Sequence, residues 1–164
     1  APGGDTRPKQ SLMIATAVST WVLDTHVLLD LWVFTDPSMQ RLQQDLDAGQ
    51  VIWLATEPMR DELQRVLGYT QIAARLQQRQ RQSMDVLQRF DQWARLQPVA
   101  PRAMHVCKDP DDQKFVDLAV AHGASLFSKD QQVLRMKRRL ATLGVAVTSV
   151  YAPGAAQTHG QPCP

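Results

Sequence analysis

Short apolar runs alternate along the chain with longer stretches whose apolar residues recur at helical spacing. The runs that predict buried strands are "TWVLD" (20–24), "VIWLA" (51–55), "MHVC" (104–107), "SLFS" (125–128) and "VAVTSV" (145–150). The stretch "HVLLDLWVF", which follows the first run, is apolar enough to begin a buried helix. Such alternation predicts an α/β fold, a three-layer α/β/α domain whose central parallel sheet is covered by helices on both faces.

Local signals mark the ends of two predicted helices. Thr56 predicts an N-cap after the second run, with Pro58 in the first helical turn. A later helix is predicted from Pro110 to about Ala121, with Gly123 as its C-terminal cap. Both helices therefore begin directly after a predicted strand.

The middle of the chain, residues 70–97, is predicted to be a helical insertion. Its apolar residues with helical spacing are Val86, Leu87, Phe90, Trp93 and Ala94. The stretch "QQRQRQ" (77–82) is wholly polar. We expect Pro98 and Pro101 to end the helix and to lead into the "MHVC" strand.

We expect one domain over residues 20–151, between a flexible N-terminal tail (1–19) and a flexible C-terminal tail (152–164). Both tails are rich in Gly, Pro, Ala and Gln. The apolar stretch "SLMIATAVSTWVLD" (11–24) is interrupted by hydroxyl residues and ends in an acid, so it is not expected to span a membrane. The net charge of +2 identifies no class of partner, and two cysteines without metal-site or disulfide spacing favour a reducing cytoplasm.

Acidic residues follow several of the predicted strands. Asp24 ends the first, Asp130 lies two residues past "SLFS", and the crowded Asp109, Asp111 and Asp112 follow "MHVC". In parallel sheets ligands bind at the carboxyl ends of the strands. These acids are therefore candidates for a binding site.

Helical geometry separates the acids that face the protein from those that face solvent. Asp109 with Pro110 is expected to start the late helix, Asp111 to complement its dipole, and Asp112 to lie closest to its apolar face. On the helix after Thr56, Glu62 flanks the apolar face. Asp24, Glu62, Asp112 and Asp130 would then meet at one edge of the sheet.

Four carboxylates at one place repel each other, which indicates hard divalent cations with oxygen ligands, most plausibly Mg²⁺ or Mn²⁺. A site of this kind suits phosphodiester hydrolysis. From spacing alone, however, helix caps and scattered surface charges account for the same residues equally well.

Three stretches of the chain resemble the PIN domain family, in particular the bacterial branch of toxin components of toxin–antitoxin systems. They are "WVLDTHVLLD" (21–30), "ATEPMRDELQRVL" (55–67) and "CKDPDDQKFVDLAVAHGASLFSKDQQVL" (107–134). The third is the most specific, because its aspartate-rich turn, alanine-rich helix, Gly-Ala turn and Ser-x-Asp strand end occur together. The resemblance extends over about residues 20 to 150.

The resemblance implies a metal-dependent endoribonuclease that acts on RNA, single-stranded or structured, in the cytoplasm and away from membranes. Its catalytic and metal-binding residues would be Asp24, Glu62, Asp112 and Asp130, with Mg²⁺ or Mn²⁺ as cofactor. Weaker candidates for contacts to substrate or to the carboxylates are Thr25, His26 and Ser128. Many members of the family also pair with a small antitoxin protein and form homodimers.

Other interpretations stay open at this stage. Many relatives carry an acid where this chain has Gln132, which favours a non-catalytic PIN-like interaction module with a degenerate acidic pocket. A receiver-like phosphoacceptor domain is a weaker alternative, since "VIWLAT" offers no phosphoacceptor aspartate. A basic helix is predicted around residues 131–142, and its cations would either meet RNA phosphates or form a solvated face. They are Arg135, Lys137, Arg138 and Arg139.

Overall fold

The computed structural model describes residues 18–153 and contains a parallel five-stranded sheet. The strands are β1 (Ser19–Leu23), β2 (Val51–Ala55), β3 (Ala94–Leu96), β4 (Ser125–Phe127) and β5 (Val147–Thr148). Their order across the sheet is β3-β2-β1-β4-β5. Of the tails predicted for residues 1–19 and 152–164, residues 1–17 and 154–164 lie outside the described residues, and Ser19 belongs to β1. The predicted α/β fold with a parallel sheet is confirmed.

Helices connect the strands and cover the sheet. The α-helices are α1 (Thr25–Trp32), α2 (Gln40–Asp47), α3 (Glu57–Leu67), α4 (Thr70–Gln78), α5 (Ser83–Trp93), α6 (Gln113–His122), α7 (Gln131–Leu134) and α8 (Lys137–Ala141). Short 3₁₀ helices at Pro37–Met39 and Pro110–Asp112 precede α2 and α6. Within residues 18–153, no helix is long and apolar enough to cross a membrane.

The central strand β1 has both of its faces covered. Trp21, Val22 and Leu23 follow each other in the strand and are all buried, although successive side chains point to opposite faces of a sheet. Aromatic rings fill much of the core, where Trp21 packs against Phe127 and Trp32 against Trp53. This double coverage gives the three-layer α/β/α arrangement and fixes the carboxyl end of β1 between neighbouring strands.

The predicted strand at "MHVC" (104–107) is wrong. Met104 and Val106 are 77% and 52% exposed, and although Cys107 is buried in the core, residues 104–107 form no strand. Two backbone groups of the segment form hydrogen bonds with the side chain of Gln113 in α6 and not with a neighbouring strand. Its Oε1 accepts a hydrogen bond from the Cys107 amide, and its Nε2 donates to the His105 carbonyl.

The third strand of the chain is instead β3, at the end of the segment predicted as a helical insertion. The backbone leaves the helical conformation at Ala94, with φ −72° and ψ 136°, and Ala94 pairs with Trp53 of β2. The helical part of the prediction corresponds to α4 and α5. Val86, Leu87 and Phe90 of α5 are buried in the common core.

The predicted helix ends agree with the structure more closely. Helix α3 begins after Thr56 with Pro58 in its first turn, and α6 ends at Gly123, whose φ of 60° is left-handed. The basic helix predicted around residues 131–142 is divided into the short helices α7 and α8. The carboxyl ends of β1 and β4, the starts of α3 and α7, and the 3₁₀ turn before α6 surround the site described next.

Candidate active site

Asp24 occupies the point where β1 ends and α1 begins. It is 3% exposed, and its Oδ1 accepts a hydrogen bond of 2.9 Å from the Val27 amide, which caps the helix. Its Oδ2 accepts hydrogen bonds from the Ser128 hydroxyl and the Lys129 amide, because parallel β1 and β4 bring their carboxyl ends together. Burial raises the pKa of Asp24, and the bonds from Ser128, Val27 and Lys129 oppose that shift.

Three further acids form the tightest cluster of carboxylates in the described part of the chain. Asp109, Asp112 and Asp130 each offer an oxygen, and these oxygens lie within 4.8 Å of one another. Asp109 also accepts a hydrogen bond from the Asp111 amide, and Asp130 accepts one from the Gln132 amide. We call Asp109, Asp112 and Asp130 the acid cluster.

Asp112 is the member of the acid cluster whose charge is least compensated. Its Oδ2 is buried and has no hydrogen-bond partner among residues 18–153. Desolvation, together with the negative charges of Asp130 and Asp109, raises the pKa of Asp112 to about 7. A buried carboxylate oxygen without a partner is unfavourable unless a proton or a cation compensates it.

The composition of the acid cluster fits Mg²⁺ or Mn²⁺. All of its donors are carboxylate oxygens, which hard divalent cations prefer, and the oxygen of Asp112 has a position for a ligand that the described protein leaves unfilled. A cation bound there would be held by Asp109, Asp112 and Asp130, with Asp24 beside them.

Glu62 reaches the same site from α3. Its Oε1 accepts a hydrogen bond of 2.7 Å from the Thr25 hydroxyl and lies 3.3 Å from the Lys114 ammonium. Lys114 was not among the predicted site residues, although a lysine in the first turn of a helix is unfavourable beside the positive end of the helix dipole unless an acid compensates it. In the structure, the Lys114 ammonium pairs with the negative charge of Glu62.

The predicted residues line one small cleft. Its volume is about 150 Å³, and its lining residues are Asp24, Thr25, His26, Glu62, Asp112, Phe115, Lys129 and Asp130. Ser128, which was also predicted, is buried beneath the cleft and bonds Asp24. Larger cavities lie elsewhere on the surface, but this cleft is the one formed at the carboxyl ends of β1 and β4.

Two residues at the site, Asp109 and Asp30, were not predicted as site residues from the sequence. Asp109 was assigned only to the start of a helix, and it does cap the 3₁₀ turn, but it also belongs to the acid cluster. Asp30 is buried in α1 and pairs with the Lys129 ammonium, which holds that cation at the cleft. In the sequence, Asp30 could have been noticed as an acid inside the apolar run "HVLLDLWVF". It follows His26 by four residues, and the Nε2 of His26 lies 3.8 Å from its carboxylate.

Comparison with known proteins gives one family match. A family model described as a PIN domain matches residues 20–127, which is more than half of the chain. No curated protein matches the chain. The matched region contains Asp24, Glu62, Asp109 and Asp112 and ends three residues before Asp130.

Proposed function

The chain belongs to the PIN domain family, and on this premise we propose that it is a metal-dependent endoribonuclease that hydrolyses RNA at the acid-lined cleft. The observation that carries the proposal is the buried Oδ2 of Asp112, which lacks a partner in the described protein while two other carboxylates lie beside it. A structural role does not require such an arrangement, whereas a divalent cation would use the unpartnered oxygen as a ligand and offset the repulsion between the carboxylates.

In the proposed site, Asp109, Asp112 and Asp130 hold the cation, with Mg²⁺ or Mn²⁺ as the expected species. When bound, this ion would act as a Lewis acid, which lowers the pKa of water and offsets negative charge on the reacting phosphodiester. Asp24 accepts one hydrogen bond at Oδ1 and two at Oδ2, so Oδ1 retains the capacity to bind a further partner.

The neighbouring side chains orient these acids and adjust the charge of the cleft. Ser128 and the Lys129 amide fix the carboxylate of Asp24, and Thr25 fixes that of Glu62. The Lys129 ammonium, held by Asp30, lines the cleft and provides a positive charge for an incoming phosphate. Thr25 and Ser128 are thus proposed to position carboxylates, and His26 to contact substrate at the exposed rim.

The test is cleavage of a labelled, unstructured RNA by the purified protein. Activity is expected with Mg²⁺ or Mn²⁺ and is expected to stop on chelation and to return when Mn²⁺ is restored. Asp24→Asn is expected to lose cleavage, whereas Asp61→Asn, an exposed acid on α3, is the control expected to retain it. Full activity in Asp24→Asn, or cleavage that continues in the presence of the chelator, would refute the proposed metal-dependent nuclease.

The finer proposal is that the protein is the toxin of a toxin–antitoxin pair and forms a homodimer. It is supported by the resemblance of residues 21–30, 55–67 and 107–134 to that branch of the family. A small adjacent reading frame whose product binds the protein and inhibits RNA cleavage is the expected result. A protein that is monomeric in light scattering and has no such neighbour would instead fit general RNA processing.

A second candidate function is a non-catalytic interaction module, and Gln132 is the observation that favours it. Its side chain is a neutral amide and adds no further carboxylate beside Asp130, to which Gln132 donates only its backbone N–H. The module predicts no thermal stabilisation by Mn²⁺, whereas the nuclease predicts an increase in Tm, because the folded protein alone would bind the ion.

A further inference from the structure

A second cavity adjoins the acid cluster and has the opposite charge. It has a volume of about 430 Å³ and is lined by Val106, Cys107, Lys108, Gln132, Arg135 and Arg139. The two segments that form it also carry the acids, because Lys108 directly precedes Asp109, and Gln132 lies two residues after Asp130. We call this cavity the basic pocket.

The cations of the basic pocket are available to a ligand. Lys108, Arg135 and Arg139 are exposed, and within residues 18–153 none of them forms an ion pair. Lys129, the lysine that lines the acid-lined cleft, differs from them because it pairs with Asp30, and Lys114 pairs with Glu62 of the cleft. Among the described residues, the cations in contact with the cleft are therefore paired, whereas the three of the basic pocket are not.

A polynucleotide matches both charge patterns at once. One phosphate of a strand would lie at the proposed cation site of the acid cluster, and the next part of the same backbone would meet Lys108, Arg135 and Arg139. An acidic protein partner would use the basic pocket alone and would be repelled by the acids next to it. A cavity of this volume is within the range that accommodates a small organic group such as a sugar phosphate.

We propose that the basic pocket binds the sugar-phosphate backbone that flanks the scissile phosphodiester of a single-stranded nucleic acid substrate. This proposal rests on the proposed nuclease function. It makes Arg135 and Arg139 substrate-binding residues, and it makes a strand that extends into the basic pocket a better substrate than a small phosphodiester.

The test compares two double variants that each remove two positive charges from the same region. Arg135→Ala with Arg139→Ala changes the basic pocket, whereas Lys137→Ala with Arg138→Ala changes exposed cations that do not line it. Binding of a fluorescein-labelled single-stranded RNA is measured by anisotropy over a salt series, with Ca²⁺ in place of the catalytic ion. Hydrolysis of bis(p-nitrophenyl) phosphate, which is too small to extend into the basic pocket, is measured in parallel with Mn²⁺.

The variant Arg135→Ala with Arg139→Ala is expected to bind RNA about tenfold more weakly. The magnitude of its slope of log K against log salt should be smaller by about 1.4, the value for two lost phosphate contacts to a single strand. The control variant is expected to change affinity less than about twofold, as contacts at the rim contribute little. Hydrolysis of the small ester should be unchanged in both, and thermal unfolding should show that both are folded.

Two results would overturn the proposal. Equal weakening in both variants would mean that general charge, and not the basic pocket, attracts RNA. Unchanged binding in both would leave an acidic protein as the ligand of the pocket. If the wild-type protein hydrolyses neither RNA nor the small ester, the nuclease function fails, while the anisotropy comparison still decides whether the pocket binds a polynucleotide.

Discussion

Two regions of the molecule contain acids that are buried or partly buried, and they compensate the charge in opposite ways. On α2, Asp45 is 7% exposed and both of its oxygens are paired, Oδ1 with the Arg41 guanidinium at 3.1 Å and Oδ2 with the Tyr151 hydroxyl. In the acid-lined cleft, Asp112 has an oxygen with no partner in the described protein and two carboxylates beside it. Substitution of the acid is therefore expected to have different effects at Asp45 and at Asp112.

The difference shows what the fold itself requires. Asp45 links α2 to Tyr151 near the end of the described chain, so its charge serves packing. In the acid cluster, Asp109 and Asp130 accept hydrogen bonds from the nearby backbone amides of Asp111 and Gln132, and burial beside these carboxylates raises the pKa of Asp112, so that its ionised form is unfavourable there. A site that reduces stability in this way is expected where a ligand is bound.

The largest expected effect is on catalysis at Asp112. Asp112→Asn should lower the rate of RNA cleavage at least about 100-fold, since losing several kcal/mol of charge stabilisation corresponds to two or more factors of ten. Asp111→Asn, at the exposed neighbouring residue, should change the rate less than about twofold. Equal losses in the two variants, measured with the same labelled RNA, would remove the distinction between them.

The next effect concerns the stability of the paired region. Asp45→Ala should lower the free energy of unfolding by about 2 to 3 kcal/mol, because it leaves the Tyr151 hydroxyl without its acceptor and removes the Arg41 ion pair. Asp47→Ala, at an exposed acid on the same helix, should cost less than about 0.5 kcal/mol. Urea denaturation measures both, and cleavage activity per folded molecule should not change in either.

The smallest effect is a pH dependence of the metal-free protein. The pKa of Asp112 is raised from 3.8 to about 7, so the folded protein holds a proton that the unfolded chain releases between these values. Its stability contribution is therefore greatest at low pH and is lost as the pH rises towards 7. In calorimetry with a chelator, Asp112→Asn should be more stable than wild type by a few degrees at about pH 8 and less so at about pH 5.

The opposite trend would contradict the electrostatic account of the acid cluster. Asp24, whose pKa is also raised by burial, contributes a slope of the same sign in both proteins, so the difference between wild type and Asp112→Asn reports Asp112 together with its repulsion of the neighbouring acids.

Much of the site was accessible from the sequence, because simple rules govern it. The rule that ligands bind at the carboxyl ends of parallel strands selected Asp24 and Asp130, and the periodicity of the helix directed Asp112 inward and Asp111 outward, as the structure has them. Asp109 was missed since its role as a cap explained it fully at the local level.

The errors in the fold have a physical reason in contacts between distant residues. Strand β3 is only three residues long and continues directly from α5, so its identity depends on pairing with β2 and not on its own pattern. The "MHVC" segment has the apolar residues of a strand, but the side chain of Gln113 satisfies its backbone instead. Neither contact is visible in a local stretch of sequence.

Calorimetric titration of the metal-free protein with Mn²⁺ measures directly whether the acid cluster binds a metal ion. We expect saturable binding to the wild type, at least about tenfold weaker binding to Asp112→Asn, and unchanged binding to Asp111→Asn. Absence of binding to the folded wild-type protein, or equal affinity in wild type and Asp112→Asn, would contradict the assignment of the acid cluster as a metal centre.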